Sequence, residues 1–200
     1  MTIKGKTGFT GGGSGNIYLT GINFETNSDY LFEITANGTN PNFYFNDCGF
    51  NILTTGGFNL TGTGAGVNLV FQSCSGTIGT TGVKFANTTA GLYNFNFYNT
   101  RITNSGNSTT LSTITSSNFT ARNSYFETGF SLTGCTSIIY GCQFYNPTNN
   151  ITALTTVTSG TLDVSNTYIY SGTAASISVG ASTTVSAFEN IIESTNANPF

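Results

Sequence analysis

The sequence predicts an all-β fold, a parallel β-solenoid of about eight coils with roughly 25 residues in each. Three observations carry this expectation. Short segments of alternating apolar residues recur along the whole chain. In each segment the alternation slips by one position, next to a Gly, Asn, Asp or Ser. No stretch of helical spacing interrupts the pattern, and β-branched and aromatic residues dominate it.

The segment FYFNDCGF, residues 43–50, shows the slip most plainly. Aligning similar segments on Cys48 gives a reference column of Ile22, Cys48, Cys74, Thr100, Ser124, Cys142, Thr167 and Ile191, spaced 26, 26, 26, 24, 18, 25 and 24 residues apart. Three residues earlier stand Leu19, Phe45, Phe71, Phe97, Ala121, Ile139, Val164 and Phe188. Five residues earlier stand Ile17, Phe43, Leu69, Phe95, Phe119, Ser137, Leu162 and Ser186. Two residues later stand Phe24, Phe50, Gly76, Ile102, Phe126, Phe144, Ile169 and Glu193. All four columns are expected to face inward. The step of three between two of them is odd, so an unbroken strand would turn the second pair outward. One residue must bend the backbone. Immediately before the reference column stand Gly21, Asp47, Ser73, Asn99, Asn123, Gly141, Asn166 and Asn190. Gly, Asn and Asp tolerate left-handed backbone angles, so this column reads as a structural corner ladder.

A further short strand is expected in several coils, in LFEITA (31–36), FNLTG (58–62), VKFAN (83–87), FSLTG (130–134) and SISVG (176–180). Turn-forming Gly, Asn, Ser and Thr flank these pieces. Residues 16–194 form the expected solenoid, residues 1–15 a flexible Gly-rich N-terminal arm, and residues 195–200 a C-terminal tail. Ser186 and Glu193 in core columns make the last coil read as a polar cap.

The segments FYFNDCGF, LVFQSC, FNFYNTRI, IIYGCQF and VSNTYI resemble the repeats of the pectate-lyase-like superfamily. The resemblance covers residues of about 16–194 and implies a single-stranded right-handed parallel β-helix with an Asn ladder at the tight corner. The low charge and the Asn-, Thr- and Gly-rich coils look most like the versions found in bacteriophage virions: tail fibres, tailspikes and capsid-associated fibres. That likeness implies localisation in the virion after assembly in the host cytoplasm. It also implies partners among other virion proteins, a homo-oligomer with a trimer favoured, and contact with host surface glycans.

Composition narrows the function. The chain is 38% hydrophobic, enough to bury a core, yet only 6% charged, against roughly 25% in an average soluble domain. Five basic residues spread thinly and a net charge of −3 argue against nucleic acid. No segment approaches the roughly 20 apolar residues of a membrane span, and the N-terminus shows no apolar signal-peptide core. The chain has no His, which excludes Ser–His and Cys–His nucleophile systems. Cys48, Cys74, Cys135 and Cys142 lack CxxC spacing, so no metal site and no cofactor are expected. Cys48 and Cys74 fall in adjacent coils but point the same way, and an unbonded stack is expected.

Catalytic residues are not expected, and the alternative that keeps an enzyme is a polysaccharide depolymerase with its site shared between subunits. Glu25 and Glu127 share a column four coils apart, ~19 Å at the usual strand spacing, whereas glycoside hydrolysis needs two carboxylates roughly 5–9.5 Å apart. Arg101 and Arg122 have no acid cluster beside them on this register. Thr-x-Thr pairs such as Thr61-Gly62-Thr63 and Thr113-Ile114-Thr115 do not repeat coil after coil, which argues against ice binding. Outward aromatics remain. Tyr145 and Tyr170 share one column in adjacent coils, and Tyr125 and Tyr168 share another with Gln143 between them. These five residues are candidates for contact with a glycan or with another subunit.

Overall fold

A computed structural model describes residues 1–5, 7–11, 14–26, 32–36, 42–52, 58–62, 66–78, 85–87, 93–104, 112–115, 118–146, 152–156, 159–172 and 175–195. Among these residues the chain is all-β and winds as a parallel solenoid. Strands from successive coils pair in order to make three sheets of nine, eight and eight strands. Within a coil the chain passes through the sheet of Phe58–Gly62 (sheet B), then that of Asn68–Gln72 (sheet C), then that of Ser75–Ile78 (sheet A).

The corner joins sheet C to sheet A. Phe43 and Phe45 are buried on strand Asn42–Asn46, and strand Gly49–Ile52 follows with Phe50 buried. Between them Asp47 has φ 52°, and Ser73, Asn99, Asn123 and Asn166 repeat it at 49–54°. Gly21 and Gly141 take the same turn at 65° and 62°. A left-handed residue costs about 1–2 kcal/mol for most side chains, which accounts for Gly, Asn and Asp here and marks Ser73, with Glu189 of the last coil at 52°, as a strained rung.

The corner also reverses the hydrogen-bond ladder. Asp47 N–H donates to Gln72 O in the following coil, while Gly49 N–H donates to Ile22 O in the preceding one. The reference column between them is polar for this reason. The Cys48 thiol reaches Leu19 O at 3.3 Å and Cys74 reaches Phe45 O at 3.3 Å. The Thr100 hydroxyl lies 3.1 Å from both Phe71 O and Tyr98 O. It is joined upward as well, since Thr100 N–H donates to Ser124 Oγ at 3.1 Å. The column therefore wants a small donor, and Cys, Thr and Ser supply one. All four cysteines are buried, and none is in a disulfide.

Inside, phenylalanines stack at the strand spacing. Phe45, Phe71 and Phe97 run parallel at 5.1 and 4.8 Å. Phe24 over Phe50 and Phe32 over Phe58 form parallel files at 5.6 and 5.1 Å. The files meet edge to face, as in Phe45 against Phe50 at 5.4 Å and 78°. Stacking within a file and edge contacts between files are the two favourable aromatic arrangements.

Three expectations are corrected. The last coil is not degenerate. Strand Thr183–Phe188 pairs with Val185 opposite Leu162 and Ala187 opposite Val164, and Ile192 lies opposite Ile169. The corner there is Glu189, at φ 52°, and not Asn190. Asn190 sits one place on, in the polar column, accepting from Thr167 N at 3.0 Å and donating to Val164 O at 2.7 Å. Second, part of the expected N-terminal arm belongs to the solenoid. Thr2–Lys4 pairs with Asn23–Thr26, and Thr7–Gly11 pairs with Phe32–Ala36. Third, strands Ser112–Thr115 and Leu154–Thr156 complete sheet B where no strand was expected. Residues 196–200 of the expected tail lie outside the described residues.

Candidate functional site on the outward face of sheet A

Each coil has two outward positions on sheet A, immediately after the reference column and two residues further on. Register places Tyr125, Gln143 and Tyr168 on consecutive rungs of the first outward column. Tyr145 and Tyr170 are neighbours in the second, with ring centroids 5.3 Å apart and planes tilted by 31°. The five residues singled out in the sequence thus form one continuous patch.

The structure adds charged residues that column spacing alone missed. Arg101 is one coil before Tyr125, and its guanidinium carbon sits 4.0 Å from the Tyr125 ring centroid. Its Nη2 lies 4.0 Å from the Glu127 carboxylate. Tyr125 O–H donates to Glu127 Oε1 at 2.7 Å, and Asn104 N–H donates to Oε2 at 2.8 Å. Glu127 is therefore held from three sides. Burial, followed by the hydrogen bond to Glu127, pushes the Tyr125 phenol up to about 12. Tyr168 O–H likewise donates to Glu193 Oε2 at 2.9 Å, and desolvation, aided by Glu193, raises its pKa. Glu193, expected inward, thus faces outward, because the last coil is shifted by one residue.

Toward the N-terminal end the same face becomes a groove of about 420 Å³. Gly49, Asn51, Ser75, Thr77 and Thr103 line it, with Asn23 and Glu25 at one end and Arg101 at the other. Thr103 donates to Gly76 O at 3.1 Å and pairs with the Thr77 hydroxyl at 3.2 Å. Lys4 and Glu25 approach to 3.8 Å beside the far end. A second hollow of about 450 Å³ runs along the corner, between Asn99, Asn123, Gly141 and Asn166 on one side and Arg101, Tyr125, Gln143 and Tyr168 on the other. Both hollows include Arg101.

Chemically the face offers amides, hydroxyls, aromatic rings and two long ion pairs, Lys4–Glu25 at 3.8 Å and Arg101–Glu127 at 4.0 Å. Glu25 and Glu127 are separated by the rungs of Asn51, Thr77 and Thr103, as their spacing implied. Among the described residues no group of three His, Cys, Asp or Glu could hold a metal ion. Burial pushes the Cys74 thiol up to about 12 and Cys142 to about 11, and raises Cys48 as well.

Sheets B and C differ from this face. On sheet B, Thr113 and Thr115 pair with Ser131 and Thr133, while Thr10, Thr35 and Thr61 align at the other end. Glu33, Asn59 and Ala86 interrupt the first of these columns. On sheet C, Asn16, Asn42, Asn68 and Asn94 form an amide ladder with links of 3.0, 2.7 and 2.6 Å. Tyr18 stacks on Tyr44 at 4.9 Å and 15°. Tyr18, Ile138, Tyr140 and Phe188 are 63%, 40%, 46% and 64% exposed on that same face.

Comparison with protein-family models, with curated proteins and with solved structures finds no match to this chain.

Proposed function

We propose that this chain is a non-enzymatic structural protein of a virion, a rod in a tail fibre, tailspike or capsid decoration. It assembles with other virion proteins and with copies of itself, a trimer being the favoured arrangement. The observation that carries the reading is the outward face of sheet C. Four large apolar side chains, Tyr18, Ile138, Tyr140 and Phe188, stand well exposed on one sheet whose remaining side chains are mostly uncharged. Exposed aromatics on a flat, weakly charged surface are the composition of a protein contact.

Two measurements test it. Peptides of this chain are expected in purified virions of its source, and their absence removes the virion role. Light scattering on the purified chain is expected to give an oligomer that Ile138→Ser with Tyr140→Ser shifts toward the monomer. An unchanged mass would move the contact off sheet C.

A second reading is favoured by a separate observation, the Tyr145–Tyr170 pair beside the Arg101–Tyr125–Glu127 cluster. Such a patch suits a sugar ring stacked on aromatic faces, with amides and ion pairs for its hydroxyls. Sheet A is then the face that meets a host glycan while sheet C meets protein. Loss of glycan-array signal in a Tyr145→Ala, Tyr170→Ala variant is the expected result.

A further inference from the structure

On the outside of sheet C two tyrosines meet face to face. Tyr18 on strand Asn16–Thr20 and Tyr44 on strand Asn42–Asn46 stand opposite each other on neighbouring rungs. Their ring centroids are 4.9 Å apart and their planes lie 15° from parallel. Tyr18 is exposed and Tyr44 half-buried, so solvent reaches the pair. The Asn16 amide donates to the Tyr18 phenol oxygen at 3.2 Å and steadies that ring. The stack ends with Tyr44, because Val70 occupies the next rung. Other tyrosines are placed differently. Tyr125 and Tyr168 are tied to carboxylates through their hydroxyls, and Tyr93 is fully buried. The rung of Arg122 separates Tyr98 from Tyr140.

Facing phenols of this kind can be joined. A one-electron oxidant removes an electron and the phenolic proton from each ring, leaving two phenoxyl radicals with spin on the carbons ortho to oxygen. Their combination forms one carbon–carbon bond between ortho carbons. The two ortho hydrogens shift to the oxygens and restore both phenols. The chain loses two electrons and two protons in all, and one hydrogen peroxide is reduced to two waters. Rotation of exposed side chains, which is fast, brings the ortho carbons together.

The position gives such a bond a use. Asn16–Thr20 is the outermost strand of sheet C at its end. Its Ile17 and Leu19 are only partly buried, whereas Phe43 and Phe45 on the next strand are fully buried. A coil with an open core is prone to fray. We propose that Tyr18 and Tyr44 are an oxidative cross-linking site, coupled ortho to ortho by a peroxide-driven one-electron oxidant, and that the bond fastens the outer coil to the next. The sheet C contact between copies covers Tyr18, so coupling precedes assembly.

The purified chain and its Ile138→Ser, Tyr140→Ser variant, which leaves sheet C uncovered, are treated with a haem peroxidase and hydrogen peroxide. The expected product has the mass of one chain less two hydrogen atoms and shows dityrosine fluorescence. Cleavage after Glu25, Glu33 and Glu127 is expected to leave residues 1–25 joined to residues 34–127. Tyr18→Phe and Tyr44→Phe keep the stacked rings and are each expected to lose that joined fragment, while Tyr98→Phe retains it. Oxidation of the urea-unfolded chain is expected to lower its yield about tenfold, because the rings then meet only by loop closure. The cross-linked chain is expected to melt at a higher temperature, since the tie restricts its unfolded state. Coupling in the double variant but not in the parent chain supports the proposed order of events. Absence of the joined fragment from both, or an equal yield from the unfolded chain, overturns the site. Covalent dimers in its place overturn the internal tie, and an unchanged Tm overturns the fastening.

Discussion

On every coil the corner and the outward face of sheet A lie within a few residues of each other, yet they vary in different ways. At the corner the chain makes the same left-handed turn at Gly21, Asp47, Ser73, Asn99, Asn123, Gly141, Asn166 and Glu189. The next residue is a thiol, hydroxyl or amide in every coil from Cys48 to Asn190. One position later the outward column runs Asn23, Gly49, Ser75, Arg101, Tyr125, Gln143, Tyr168 and Ile191, with no common chemistry. Backbone geometry dictates the first two columns. It is indifferent to the third, and there the side chains are left to respond to whatever the rod meets.

Breaking the core should cost most. Phe71 lies in a parallel file between Phe45 and Phe97, so Phe71→Ala is expected to lose about 3–5 kcal/mol in urea unfolding. A loss below about 1 kcal/mol would mean the files do not hold the rod together. Next comes the corner itself. Ser73→Val puts a β-branched residue at φ 54° and should cost about 1–3 kcal/mol, while Ser73→Gly at the same place should stabilise. Equal effects from the two variants would contradict the strain. A smaller loss, about 1–2 kcal/mol, is expected from Thr100→Val, which keeps the shape but strips the donor from Phe71 O and Tyr98 O. Thr103→Val on the outward face is the matched control.

The smallest effect is a titration. The Tyr125 phenol is pushed up to about 12 in the fold, against about 10 in the unfolded chain. The fold therefore favours the protonated form. Its stabilising effect is complete below about pH 10 and is lost as pH rises toward 12. Ultraviolet titration should show late tyrosines, Tyr125 among them beside Tyr93 and Tyr168, and Tyr125→Phe should lower the amplitude of the late step by one phenol. An unchanged late amplitude in that variant would assign the step elsewhere.

The parts of the fold that the backbone dictates were the legible ones. Alternation followed by a slip can arise only where a residue turns the chain, so the corner and the inward columns could be read from single residues. The last coil shows where such reading fails. Asn suits the left-handed corner and also the polar column beside it, since its amide both accepts and donates. Spacing alone therefore reads Asn190 as the corner and carries Ser186 and Glu193 inward with it, whereas the corner is Glu189. Strands Thr7–Gly11 and Ser112–Thr115 are not legible in the sequence because Gly, Ser and Thr hide their alternation. At the site, tyrosines stacked within a column were foreseeable from spacing. The Arg101–Glu127 pair was not, because it runs diagonally between columns of different coils and depends on how two long side chains bend.

The coil from Ser124 to Gly141 closes in 18 residues, every one of them described. It passes through strands Tyr125–Phe126, Phe130–Thr133 and Thr136–Tyr140 with almost nothing between them. Length in such a molecule is thus a counted quantity. A tandem duplication of those codons would add one storey of about 4.8 Å, leaving every other storey with the neighbours it already has.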